Sequence, residues 1–340
     1  MTPPDDDRTM QAYPKIELHV HLEGTVRPAT LLRIAGRNGY ALPADTVEGL
    51  TELYAFRDFD HFIDVWLATT PALQHADDFR QAVVGYASEV KSFGCVYMEG
   101  IFSPAEPAMR GVPWDEVFEG YCDGAQEARE LHGVEVRFTP DIVSPFSLEL
   151  AEKTARHAVA YRDRGVVGIG LGGSVGAPYA PAPFARAFAI AREGGLGSVP
   201  HAGEVAGAAT VRVALEVLHA DRIRHGIRAV EDPAVVAELV RRGTVCDVTP
   251  ISNLRTKVVA SLAQHPLSQL VAAGVRCSIS SDDPALFDTD LGQDCAAAVE
   301  LGLTPRQMYE NALAGVLCDE ATRERLRALG DAYDWDAVVV

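Results

Sequence analysis

Eight short apolar or β-branched segments recur along this chain, separated by longer stretches with helical spacing, and this alternation limits its fold more than any other feature. The segments are Lys15 to Leu22, Cys95 to Ser103, Val134 to Val143, Val166 to Gly173, Gly197 to Glu204, Arg222 to Ile227, Val245 to Ser252 and Arg276 to Pro284. The stretches between them read as helices. In SLELAEKTARHAVAYRDRG, Leu148, Ala151, Ala155, Ala158 and Tyr161 recur every three or four residues, and Gly165 stands where a C-cap belongs. DPAVVAELVRRG ends in the same way on Gly243. Repeated βα units in 340 residues predict an α/β fold, a (β/α)8 TIM barrel with its active site at the C-terminal ends of the strands. An open doubly wound sheet is the rival, but no GxGxxG follows the first strand, no GxxxxGK[ST] occurs, and the glycines of GIGLGGSVG have the wrong spacing.

The interval from about residue 25 to 94 is too long for one crossover helix and predicts a helical lid insertion after strand one. Its segment YAFRDFDHFIDVW sets Phe56, Phe59, Phe62, Ile63 and Trp66 at helical spacing, an apolar stripe for either the core or a bound ring. Residues 1–13 read as a flexible N-terminal segment and 14–340 as a single barrel domain.

Thirty basic against 48 acidic residues give a net charge of −18, which repels phosphate backbones and anionic membranes and leaves a small molecule as the expected partner. The acidic start MTPPDDDRTM has no apolar h-region, and no run of about 18 apolar residues occurs, so a soluble cytoplasmic protein is expected. Six scattered cysteines without a CxxC pair agree with a reducing compartment.

Polar residues cluster at the predicted strand ends. His19 and His21 lie two apart on strand one, so both imidazoles project to one side. Strand five ends in Pro200-His201-Ala202-Gly203-Glu204, strand six in Arg224-His225-Gly226, and strand eight in Ser280-Ser281-Asp282-Asp283-Pro284. Adjacent aspartates repel in a low-dielectric cleft unless a cation or proton separates their roles, although either one alone also suits a helix N-cap. Imidazoles and a carboxylate converging on one barrel face suit Zn2+ or another divalent transition metal with a place left for water. His61, His75, His132, His157 and His219 fall in helices or loops facing solvent, and His265, before Pro266, reads as structural.

HVHLEG, HAGE, RIRHG and SSDDP, in this order, resemble the motifs of the adenosine deaminase branch of the amidohydrolase superfamily, from about Pro14 to Leu329; TPISN and His265-Pro266-Leu267 are similar to further family segments. The resemblance implies one zinc ion held by His19, His21, His201 and Asp282. It implies Glu204 as the acid that protonates purine N1, His225 as the histidine that orients or deprotonates the attacking water, and Asp283 as the carboxylate that shuttles its proton. Gly173 corresponds to the glycine whose amide contacts purine N3, and His21 and Asp283 also touch substrate. A lysine-bridged two-metal site is not expected, because strand four, VVGIGLGG, has no lysine. The HxE and PCxxC signature of base-editing deaminases is absent.

Two departures bear on substrate. HLEG stands where adenosine deaminases carry HLDG, so the resemblance puts Glu23 near the position of the ribose 5′ group, with a structural hydrogen bond at the strand end as the alternative role. GIGLGGSVG replaces a pattern closer to DLAGDE, so Gly170, Ser174 and Val175 stand for acidic residues. With HAGEVAG, RIRHGIRAVEDP and SNLRT, these features look most like aminodeoxyfutalosine deaminases of the futalosine route to menaquinone. Adenosine or 2′-deoxyadenosine deaminase, then adenine deaminase, are the alternatives, and a non-catalytic purine-binding barrel is the reading from another class. A benzoate on the substrate calls for a cation at the pocket mouth, for which Arg27, Arg57, Arg255 and Lys257 are candidates, Arg57 beside Phe56 and Phe59 above all.

Overall fold

A computed structural model describes residues 13–144, 146–173 and 181–338. Among these residues ten strands form: β1 Lys15–His21, β2 Cys95–Ile101, β3 Glu135–Phe138, β4 Asp141–Ser144, β5 Gly168–Gly173, β6 Gly197–Ser198, β7 His201–Ala202, β8 Arg222–His225, β9 Val245–Val248 and β10 Arg276–Ile279. Every pairing is parallel, in the orders β1-β2-β3, β4-β5-β6 and β10-β9-β8-β7. These ten pieces are eight staves. Pro140 divides β3 from β4 and Pro200 divides β6 from β7, because proline has no N–H to give to the ladder. Their carbonyls continue the pairing, Pro140 accepting from Gly170 N and Pro200 from Arg224 N, each at 3.0 Å.

The last stave returns to the first. His21 N donates to Asp282 O over 2.7 Å and Asp282 N to His19 O over 3.1 Å, closing the (β/α)8 barrel at its C-terminal rim. Closure is therefore made by the residues that carry the polar motifs.

Helices fall where the apolar spacing and caps demand. Ser147 caps Leu148–Ala160, and Asp232 caps Pro233–Arg242, which Gly243 ends in the left-handed region at φ 69°. One buried apolar cluster joins the outer face of the barrel to these helices. Tyr13 is buried in it, whereas residues 1–12 lie outside the described part of the chain.

Between β1 and β2 stand the helices Pro28–Asn38, Val47–Leu53, Phe59–Thr69 and Ala76–Ser92. The third starts at Asp58, whose carboxylate accepts from His61 N at 2.9 Å, and it lies over the C-terminal end of the barrel. No helix among the described residues is long and apolar enough to cross a membrane.

Candidate active site

His19 and His21 from β1, His201 from β7 and Asp282 just after β10 meet inside the rim. His201 Nε2 lies 3.2 Å from Nε2 of both His19 and His21, and Asp282 Oδ1 lies 3.2 Å and 3.3 Å from the same two nitrogens. The outer nitrogens fix the tautomers. His19 Nδ1 donates to Asp247 O at 3.1 Å and His201 Nδ1 to Leu171 O at 2.9 Å, since a carbonyl can only accept. Their Nε2 atoms therefore present lone pairs to each other. Desolvation holds His21 down to about 3 and His201 well below the ordinary range, so both rings are neutral. These separations of 3.2–3.3 Å are short enough for neighbouring donors to share one ion. The donor set, three imidazoles and a carboxylate, thus fits a divalent transition metal. Asp282 Oδ2 turns the other way and accepts from Ser252 Oγ at 2.6 Å, which orients the carboxylate.

Two of these rim residues hold backbone strain. His225 and Asp282 sit at φ 61° and 66°, left-handed conformations that cost a non-glycine residue roughly 1–3 kcal/mol. For Asp282 the two closure hydrogen bonds enforce it, and the turn directs its carboxylate inward.

A cavity opens above the cluster, lined by Glu204, His225, Asp283, Gly173 and the helix Phe59–Thr69. Glu204 is buried, and desolvation first, then the nearby Asp282 charge, push its carboxyl well above the usual range, which favours the protonated form. His225 Nε2 lies 3.5 Å from Glu204 Oε2. Burial and the carboxylates of Asp282, Glu23 and Glu204 also raise Asp283, against which the Trp66 indole works. Gly24 of the HLEG motif leaves room for Asp283: a Cβ there would fall 2.6 Å from Asp283 Cβ. Gly173 has φ 101°, and a Cβ there would strike the Ser144 carbonyl.

Not every expected substrate contact is at the cavity. Phe59 lines it, whereas Phe56 packs beneath with ring centroids 5.4 Å from Phe62 and 5.8 Å from Phe287. Arg57, Arg255 and Lys257 are exposed and do not line it, and Arg27 is engaged with Glu89 and with Pro284 O at 3.1 Å. Among the described lining residues there is no lysine or arginine. Glu23 is withdrawn as well: Oε1 accepts from Ser103 N at 2.6 Å, and burial raises the group to about 8. Ser174 and Val175 lie outside the described residues.

Residues to which the sequence assigns no role complete the surroundings. Asp141 of β4 pairs with Arg224 of β8, whose Nη2 also donates to Thr139 Oγ1 at 2.7 Å, and both partners are buried. Asp141 lines the cavity, and its buried Oδ2 lies 3.5 Å from His201 Nδ1 with no hydrogen-bond partner among the described residues. Gly170 stands opposite Asp141 in the ladder, and a Cβ there would collide with Asp141 and Arg224. The carboxylate absent from β5 at Gly170 is thus delivered from β4. A buried pair between strands some eighty residues apart leaves no local spacing by which sequence reading finds it.

Residues 14–332 match the sequence profile of the family described as adenosine deaminase. The chain is 51% identical over 339 residues to an aminodeoxyfutalosine deaminase of Acidothermus cellulolyticus, covering 98% of this chain and 95% of that protein. It superposes on an adenine deaminase from Arthrobacter aurescens with a TM-score of 0.88 at 31% identity, over 94% of this chain and 98% of that one. An amidohydrolase from Burkholderia ambifaria with bound Zn gives a TM-score of 0.86 at 25% identity, over 96% and 92%. A match that begins before the first stave and runs past the last leaves no part of the barrel unaccounted for, and places this chain in the adenosine deaminase family, among the hydrolytic deaminases.

Proposed function

We propose that the chain hydrolyses the 6-amino group of 6-aminodeoxyfutalosine, giving futalosine and ammonia, as a cytoplasmic step of menaquinone biosynthesis. One zinc ion would be held by His19, His21, His201 and Asp282. When bound, zinc supplies Lewis acidity that makes water nucleophilic near neutral pH. The observation carrying the substrate is the near-full-length likeness to an aminodeoxyfutalosine deaminase.

The chain's own groups divide the remaining work. As water oxygen bonds to C6, the C6–N1 π electrons move onto N1, and the neutral Glu204 carboxyl gives N1 its proton. A divalent cation bound at the neighbouring Asp282 would offset the burial and carboxylate repulsion that raise Asp283 and keep it ionised, so that it takes the proton of the attacking water and passes it to the departing amine. His225 orients that water from the other wall. Gly173 would present its backbone amide to the purine; φ 101° and the Ser144 carbonyl, which a Cβ would strike, keep this position a glycine.

The cavity favours a nucleoside carrying an apolar group over free adenine. Phe59, Phe62, Ile63, Trp66 and Leu67 line it, together with Phe146. They suit the benzoate ring, with its carboxylate directed to solvent, since no arginine or lysine is among the described lining residues. Six free buried cysteines agree with the cytoplasm. The test is ammonia release from 6-aminodeoxyfutalosine, adenosine, methylthioadenosine and adenine under one set of conditions. The highest kcat/KM is expected for 6-aminodeoxyfutalosine; far better turnover of adenosine or adenine overturns the assignment.

A further inference from the structure

His225 faces the reacting centre through Nε2, and the position of its one proton decides whether that nitrogen donates or accepts. Three residues behind the ring determine it. The backbone N–H of Leu267 donates to His265 Nδ1 over 3.1 Å. An amide N–H can only donate, so His265 Nδ1 is a lone pair and the ring proton is on Nε2. That Nε2–H donates to Asn253 Oδ1 over 3.0 Å. The amide of Asn253 is thereby oriented, and its Nδ2 donates to His225 Nδ1 over 3.3 Å. His225 Nδ1 is then an acceptor too, and its proton sits on Nε2, 3.5 Å from Glu204 Oε2.

All three rings and amides are shielded from competing water: Asn253 is 0%, His225 1% and His265 2% exposed. Thr249 Oγ1, 3.2 Å from His225 Nδ1, fits the same assignment, because a hydroxyl rotates to donate. Asn253 is itself held by the backbone, its N–H bonded to Thr249 O and its carbonyl accepting from Val259 N at 2.9 Å.

We propose that His265 and Asn253 are positioning residues forming a tautomer lock, which keeps His225 as an Nε2–H donor toward the attacking water and leaves proton abstraction to Asp283. The proposal rests on the deaminase reading for its catalytic meaning, but the tautomer itself does not. It also separates two arrangements of the metal cluster. His225 lies close enough to His19, His201 and Asp282 to serve as a ligand, yet a protonated Nε2 has no lone pair to give, so His21 takes that place.

The direct test is 15N NMR of histidine-labelled, zinc-loaded protein, with the His225 signals identified by their loss in His225→Gln. A pyrrole-type Nε2 and a pyridine-type Nδ1 are expected; a pyrrole-type Nδ1 overturns the lock, whatever the substrate proves to be. Asn253→Asp tests its consequence. A carboxylate only accepts, so it draws the His225 proton to Nδ1, and kcat should fall about 10²–10⁴-fold, as for a catalytic histidine held in the wrong tautomer. KM and zinc content should stay within about twofold. A folded, zinc-loaded Asn253→Asp protein with unchanged kcat overturns the proposal. Absence of turnover in the unsubstituted protein would instead count against the deaminase reading.

Discussion

His19 Nε2 and His201 Nε2 stand 3.2 Å apart while the other nitrogen of each ring donates to a backbone carbonyl, so two lone pairs converge on a point only a cation can occupy favourably. One divalent metal per chain is expected by atomic absorption. Chelation should abolish turnover and lower stability by about 4 kcal/mol relative to metal at a thousandfold above its Kd, with zinc restoring both. His19→Ala should bind metal far more weakly. Full metal content in that variant would show that the cluster is not the binding site.

Asp141 faces the rear of His201, and Arg224 holds it there. Asp141→Asn keeps the shape and removes the charge, so metal affinity should fall about 10–100-fold, measured by chelator competition. A lower melting temperature with unchanged affinity would make the pair a structural ion pair only. Transferring the carboxylate across the ladder, Asp141→Gly with Gly170→Asp, should recover part of the affinity, because the two positions are directly opposite.

Acid should weaken the fold through His265. Burial lowers this ring to about 4, below the ordinary histidine value, because protonation would break the Leu267 hydrogen bond as well as place a charge in the core. Between about pH 6.5 and 4 the unfolded chain binds a proton that the folded chain does not. Stability is therefore fully present above pH 6.5 and lost as pH falls toward 4, by at most about 3 kcal/mol. Chemical denaturation across this range should show that slope, and His265→Gln should flatten it. An equal slope in the variant would assign the acid sensitivity elsewhere.

The aromatic wall and the exposed arginine should separate cleanly in kinetics. Phe59→Ala removes a cavity wall and should raise KM about tenfold, the loss of one aromatic contact of roughly 1.5 kcal/mol. Arg57→Ala should leave kcat/KM within about twofold, since the side chain is exposed and outside the cavity. A large loss from Arg57→Ala would mean that the lid region moves to bring this arginine to the substrate.

Staves and helices were readable because burial imposes periods of two and 3.6 on the sequence, and glycine and proline punctuate them. Where a proline enters a stave, as at Pro140 and Pro200, the apolar pattern continues although the ladder is cut. The segments read as strands also ran too far at their C-terminal ends: Gly203-Glu204 and Ser280 to Pro284 carry the motifs yet stand beyond β7 and β10. The convergence of His19, His21, His201 and Asp282 was legible because each falls at a strand end. Side-chain direction within the helix Phe59–Thr69 was not, since one stripe supplies both the buried Phe62 and the half-buried Phe59. Asp141 escaped notice, and Arg224 and Asn253, although they stand within RIRHG and TPISN, gave no sign of their roles, because the partners of all three lie on other staves or beyond a turn.

In the proposed deaminase the metal ligands and the neutral Glu204 carboxyl act as separate parts of one site. Turnover and metal content of Glu204→Gln, measured on the same sample, separate them. A full complement of metal is expected with kcat lowered about 10²–10⁴-fold, because only the N1 proton donor is lost. Near-normal turnover in the metal-loaded variant would contradict it.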